Sequence, residues 1–446
     1  MMKTKRFMCV IAAVFGVAGV ALFESKAADV FLETKRSEFQ KIPIWVMGFG
    51  DGNAGADSGS PIGAQMAQIL KADLTRSQVF EVVGEPLPAL EFSQSHCQGA
   101  ELLGKAKESG ATVSSWGRVG RKDSKLVMET CAFDGGNEDL ALGKRYVGSP
   151  ITIKLLRLMV HRWADELVSR YTGDPGIART KIVYVAEDAK GNRDLFVMDY
   201  DGFGPKQITA DQRLSLMPAW SPDQRSVAFT TYKKNNQEIV LLHLASGTKT
   251  TLISAKSLNI TPAFSPNGKL LAFASATEGN SDIYTLDLTT KEMEKLTFDS
   301  SADLSPAWSP NGREIAFTSD RGGRPQIYLM SADGSNVRRL TFEGQYNAAP
   351  AWSPRGDWIV YVCQLPEKGF KLCRITPDGQ KRMQITSGPS SDIDDSPSWA
   401  PDGRHLVFSS TRGGKSHIYM VNMDGTGLEQ LTNGGTHHSS PSWSPL

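Results

Sequence analysis

Pro218-Ala219-Trp220-Ser221-Pro222 is the first of six copies of one phrase. It returns as Pro262-Ala263-Phe264-Ser265-Pro266, Pro306-Ala307-Trp308-Ser309-Pro310, Pro350-Ala351-Trp352-Ser353-Pro354, Pro397-Ser398-Trp399-Ala400-Pro401 and Pro441-Ser442-Trp443-Ser444-Pro445. The leading prolines are 44, 44, 44, 47 and 44 residues apart. Self-similarity at about 40–45 residues marks a β-propeller, with one four-stranded antiparallel blade per repeat. Each period holds a phrase strand, a second strand such as Val227–Thr230, a third such as Glu238–Leu242, and a short Leu/Ile-Thr piece. Turn pairs such as Asn267-Gly268 and Asp333-Gly334 separate them. The first repeat begins with a second-type strand at Ile182 and lacks its phrase, whereas the last phrase ends one residue before Leu446. The sequence therefore predicts six blades over 181–446, the last phrase completing the blade begun at Ile182.

Proline cannot donate to a strand ladder and belongs on an edge, so the phrase suits the strand that lines a propeller's channel. Its aromatics, from Trp220 to Trp443, are expected to pack between neighbouring blades. Three residues before the first proline of each copy stand Ser215, Asn259, Asp303, Asn347, Asp394 and His438. All six are polar, and equivalent positions should ring one mouth of the channel. Two readings apply: solvated loop residues, or a polar rim receiving a partner's side chains or an ion. Carboxylates beside Asn and Ser suit a hard cation, but the sequence holds no linear calcium loop, and no metal or cofactor is assigned.

The 446 residues exceed one ordinary domain. Lys3, Lys5 and Arg6 precede the uncharged apolar run 7–23, and Ser25-Lys26-Ala27 offers a small-x-small cleavage site. Export is expected, with cleavage near Ala27 and a signal peptide at 1–27. The formal charge of +1 on the whole chain offers no basic stripe for nucleic acid. Residues 28–173 read as a small α/β domain whose first segment, 28–41, opens on the apolar patch Val30, Phe31 and Leu32. A strand is expected over Ile42–Phe49, a helix from Pro61 capped by Ser60, a strand over Gln78–Val83 and a helix over Ala100–Ser109. Strands near 111–119, 126–133 and 140–147 and a helix over Thr152–Arg170 complete it, and 174–180 reads as a linker. Gly50-Asp51-Gly52-Asn53-Ala54-Gly55 matches a dinucleotide loop, but Ser58–Pro61 separates it from the helix, so it reads as a plain loop. Cys97, Cys131, Cys363 and Cys373 remain after cleavage and allow three pairings. Cys363 and Cys373 would sit on neighbouring strands of one blade; free thiols are the alternative.

Catalytic readings find little support. A prolyl-oligopeptidase-type hydrolase needs a G-x-S-x-G elbow, which the sequence lacks. A sialidase-like site would need an arginine cluster and a Tyr nucleophile. The protein is read as a non-enzyme; the alternatives are a ligand-binding propeller or a peptidase-like hydrolase.

The leader, the small α/β domain and six repeats ending in Pro441-Ser442-Trp443-Ser444-Pro445-Leu446 resemble the TolB family of Tol–Pal systems. The most specific stretches are Pro61–Val83, Lys181–Gly202 and Met217–Asp223. The resemblance implies a monomeric periplasmic adaptor that preserves outer-membrane integrity and supports constriction at cell division. It implies that the channel face binds the lipoprotein Pal and that the segment 28–41, with Val30, Phe31 and Leu32, binds the inner-membrane protein TolA. The membrane would be reached only through these partners. Asn259 matches the family's pattern; Leu258 and Leu304 depart from it, standing where a His and a Thr are expected.

Overall fold

The computed structural model describes residues 40–51, 62–87, 97, 100–135, 140–211, 213–233, 236–254, 257–276 and 279–446. The leader 1–27, the arm residues Val30, Phe31 and Leu32, Gly52–Gly55 of the glycine loop and the capping pair Ser60-Pro61 lie outside them.

The α/β part runs β1 (Ile42–Asp51), α1 (Ile62–Arg76), β2 (Phe80–Val82), α2 (Ala100–Glu108), β3 (Val113–Lys122), β4 (Lys125–Asp134), β5 (Leu140–Gly148) and α3 (Ile153–Thr172). Its strands form one sheet in the order β2-β1-β3-β4-β5. β2 and β3 lie parallel to β1, and β3, β4 and β5 form an antiparallel meander. β1 is apolar up to its last residue because both its faces are covered. Ile44 and Val46 pack with α1 and α3, while Trp45 and Met47 pack with α2. α3 turns Leu156, Met159, Val160, Trp163 and Leu167 into the first core, as their helical spacing requires. Thr152 caps it, accepting from the Leu155 amide at 3.2 Å, and Gly173 ends it at φ 75°. Asp51 accepts from the Gly63 amide at 2.7 Å, so the first turn of α1 is satisfied from the end of β1.

Both disulfides form, which resolves the open reading of the cysteines. Cys97 joins Cys131, tying the approach to α2 onto β4, and Cys363 joins Cys373 across adjacent strands of one blade. The Cα separations are 5.7 and 5.8 Å, within the ordinary span of such a bridge.

The rest of the chain forms a six-bladed β-propeller of four-stranded antiparallel sheets. The closing strand His438–Trp443 pairs antiparallel with Lys181–Glu187, joining Ser442 to Val183 and Trp443 to Ile182, so the chain's end completes the first blade. Lys181 and Ser444 lock the seam further: the Lys181 amide donates to Ser444 Oγ at 3.0 Å and the Ser444 amide to the Lys181 carbonyl at 2.8 Å. Each such bond contributes about 0.5–1.5 kcal/mol net. The phrase strand is the edge strand of every blade, and consecutive phrase strands touch one another around the ring.

The α/β part and the propeller share one core. Trp163, Leu167, Ile177 and Ala178 belong to the same buried cluster as Tyr200, Met420, Leu431 and Trp443. Polar groups cross the joint as well. Asp73 on α1 accepts from the Tyr200 hydroxyl and meets His161 Nδ1, both at 2.6 Å and buried. Arg76 grips Glu429 with two bonds of 2.9 and 2.6 Å. Arg355 and Arg404, from two blades, converge on Asp174 at 2.7 and 3.0 Å.

The channel face as candidate functional site

The six positions singled out in the sequence open the six phrase strands, as the spacing predicts, but they do not form a solvated rim. Ser215, Asn259, Asp303, Asn347, Asp394 and His438 are all buried. The physical reason lies in their partners: Asn259, Asp303, Asn347 and His438 bond to the preceding blade across the joint, and Asp394 is held within its own blade. The Asp303 amide donates to Ser281 O at 2.7 Å and the Asn347 amide to Pro325 O at 2.9 Å, each across a blade boundary. Asn259 Nδ2 donates to Gln237 O at 2.9 Å, and Asn347 Nδ2 to Gln326 Oε1 at 2.8 Å. His438 Nδ1 lies 3.1 Å from His417 Nδ1, so one ring must donate and the other accept. Within their own blades, Asp303 and Asp394 are held by Arg321 and Arg412, each at 2.8 Å.

Burial sets the electrostatics of this ring. It pushes the Asp303 carboxyl up, against the hydrogen bonds of Ser319 and Thr297 and the charge of Arg321. It pushes His438 down to about 4, helped by the nearby charges of His417 and His437. Asp395, next to the buried Asp394, does reach solvent. The protein walls around it raise its carboxyl despite the Ser396 amide. Asp394 is thus a buried latch between strands, and its neighbour Asp395 faces the side of the channel mouth that solvent reaches.

The residue before each phrase proline was not singled out by the sequence. Met217, Thr261, Ser305, Ala349, Ser396 and Ser440 adopt φ of 53°, 53°, 54°, 50°, 52° and 49°. In every blade the ladder between the phrase strand and its neighbour slips at this point. This is a bulge repeated six times, built on left-handed residues that are not glycine. Such a backbone costs about 1–2 kcal/mol per residue. The only available signal was the proline itself, which cannot continue the ladder and so invites a bulge. The bulges leave these six side chains partly exposed on the channel edge, beside the buried latches.

The phrase aromatics are structural. Trp220 Nε1 donates to Ser442 O at 3.0 Å, Trp308 Nε1 to Ala263 O at 3.2 Å and Trp399 Nε1 to Ala351 O at 3.0 Å, each reaching the phrase of the preceding blade. Trp352 instead turns to Gly356 O in its own hairpin at 3.5 Å. Among the described residues no group of three or more His, Cys, Asp or Glu is placed to hold a metal ion. No described helix is long and apolar enough to cross a membrane.

Known proteins share this arrangement. A family model described as the TolB beta propeller domain matches residues 168–446. A protein of Paramagnetospirillum magneticum named Tol-Pal system protein TolB is 33% identical over 244 residues, 54% of this chain and 53% of its own. One of the same name from Desulfosudis oleivorans is 34% identical over 144 residues, 32% of either chain. The matched region thus spans about a third to a half of these curated relatives. The crystal structure of TolB from Acinetobacter baumannii superposes with a TM-score of 0.77 at 27% identity, over 91% of this chain and 97% of that one. With the six closed blades and the preceding α/β sheet, these matches establish that the chain belongs to the TolB β-propeller family.

Proposed function

We propose that this protein is the periplasmic adaptor of a Tol–Pal system and performs no catalysis. It is exported with cleavage near Ala27, and its mature part divides into the α/β region 28–173, the linker 174–180 and the propeller 181–446. The observation that carries this reading is the superposition on the Acinetobacter TolB over nearly the whole chain, together with the Tol–Pal name its curated relatives bear.

On this reading the channel face marked by Ser215, Asn259, Asp303, Asn347, Asp394 and His438 receives Pal. The buried latches fix the spacing of the blades, and the partly exposed bulge residues beside them, with Asp395, make the direct contacts. The segment 28–41, with Val30, Phe31 and Leu32, engages TolA. Through these two partners the protein links the inner and outer membranes, preserves outer-membrane integrity and supports constriction at division.

The test is co-purification with the cognate Pal. Thr261→Glu and Ser305→Glu place new charge on the partly exposed bulges and should lower Pal capture by about tenfold or more, since like or unpaired charge in an interface costs several kcal/mol. Deleting 28–41 should abolish TolA capture while Pal capture persists. Full Pal capture by both bulge variants would remove the channel face from the reading, and no Pal capture by the unaltered protein would remove the reading itself.

A further inference from the structure

Four blades carry a cross-strand aromatic pair at one register: Tyr184–Phe196 in the first, Phe273–Tyr284 in the third, Phe317–Tyr328 in the fourth and Phe408–Tyr419 in the sixth. Their ring centroids are 5.9, 5.9, 6.0 and 6.0 Å apart. In three of these blades the chain lays a basic side chain over the pair and balances it with a buried carboxylate. Lys295 Nζ lies 6.0 Å from the Tyr284 ring and 3.0 Å from Asp282. Arg321 stands 5.4 and 5.1 Å from the Phe317 and Tyr328 rings and pairs with Asp303. Arg412 stands 5.6 and 5.4 Å from the Phe408 and Tyr419 rings and pairs with Asp394.

The first blade keeps the aromatic pair and a carboxylate, with no Lys or Arg over the pair among the described residues. Gln207 pairs in register with Phe196 as Lys295 pairs with Tyr284, so a glutamine takes the lysine's place. Counted from the paired second strand, Asp188 takes the place of Arg321 and Arg412. Asp194 pairs with Ala186 as Asp282 pairs with Ser275 in the third blade, two residues beyond the aromatic of the second strand, and is 9% exposed. It accepts from Thr209 Oγ1 at 2.8 Å and Gln207 Nε2 at 3.1 Å, both neutral donors. Over this set opens a cleft of about 580 Å³ between the first and sixth blades, whose walls include Tyr184, Phe196, Asp188, Asp194 and His438. Neither lysine nor arginine is among the described residues that line it. His438 meets Tyr184 edge-on at 5.5 Å, and its burial keeps the ring neutral near pH 7.

An aromatic face attracts a cation, more strongly when water is partly excluded, and a carboxylate at its edge adds directed hydrogen bonds to an N–H donor. We propose that the cleft between the first and sixth blades binds an organic cation, an ammonium or guanidinium group of another molecule, over Tyr184 and Phe196 and against Asp194. The bound group takes the place that Lys295, Arg321 and Arg412 fill in their own blades. This inference is independent of the Pal and TolA reading, because it rests on the comparison of one blade with three others.

The test is a ligand-observed NMR titration of the full mature protein with Nα-acetylated arginine amide, against Nα-acetylated citrulline amide, which keeps the shape and carries no charge. Arginine amide should bind about tenfold more tightly, the gain expected of a partly desolvated cation–π contact with a carboxylate. Asp194→Asn should remove that preference. Gln207→Lys, at an exposed position, supplies an internal cation as Lys295 does; it should block binding with an unfolding midpoint no lower than that of the unaltered protein. A Gly-Arg-Gly peptide binding more tightly than arginine amide would assign the site to a partner's side chain, and equal binding would assign it to a free amine or guanidine. Equal binding of arginine and citrulline amides, or full binding by Gln207→Lys, would overturn the proposal.

Discussion

Around the ring, neighbouring blades meet through one contact used over and over; where the α/β part meets the propeller, every contact is used once. Trp308 reaches Ala263 and Trp399 reaches Ala351, partners 45 and 48 residues apart, about one repeat. Asp73 meets Tyr200 at a separation of 127, and Arg76 meets Glu429 at 353. The blade joints are mostly apolar, with an indole donor and a short polar latch. The other joint also buries an Asp–His–Tyr cluster and is bordered by ion pairs. The difference shows two ways of fixing an orientation. A ring whose symmetry dictates the angle can rely on packing, whereas a single docking event needs directional polar contacts to select one pose.

The comparison can be broken first at the seam of the ring. Trp443→Ala removes a buried indole that packs in the shared core and donates to Thr180 Oγ1 at 2.8 Å. It should destabilise the protein by about 3–5 kcal/mol in chemical denaturation. Because that core runs through both parts, their spectroscopic transitions should shift together; an unmoved transition of either part would separate them.

The unique joint should be nearly as sensitive at one point. Asp73→Ala leaves His161 and the Tyr200 hydroxyl buried without their shared acceptor, and should cost about 2–3 kcal/mol. Tyr200→Phe removes a single donor and should cost about 1 kcal/mol. Equal losses in the two variants would mean that Asp73 acts through Tyr200 alone.

A pH-dependent effect lies in the blade joint between His417 and His438. Burial holds His438 near 4 in the folded protein, below the ordinary value of about 6.5. As pH falls from about 6.5, the unfolded chain takes up the proton first, so stability declines until the folded ring also titrates near 4. Denaturation midpoints measured from pH 7 to 4 should therefore fall less steeply in His438→Gln. Parallel curves for the two proteins would contradict a neutral, buried imidazole at this joint.

The sequence by itself determined whatever repeats. Six phrases at a near-constant interval gave the blade number, the edge position of the prolines and the closing strand, because each blade must bury the same faces against the next. It also placed α1 to α3 and β1 to β5 to within a few residues, since helical and strand spacing of apolar side chains is local. It located the six latch positions but not which way they face. Whether Asn347 meets solvent or Gln326 depends on a neighbouring blade's third strand, which no local pattern reports. The left-handed bulges at Met217, Thr261, Ser305, Ala349, Ser396 and Ser440 were equally hidden, because residues of these types ordinarily avoid that conformation and only the closed ring holds them there. The bridge from Cys97 to Cys131, the Asp73–His161–Tyr200 cluster and the first blade's aromatic pair with no described Lys or Arg over it were decided by the tertiary structure. Each depends on groups brought together across long separations or on a register that only the assembled sheet defines.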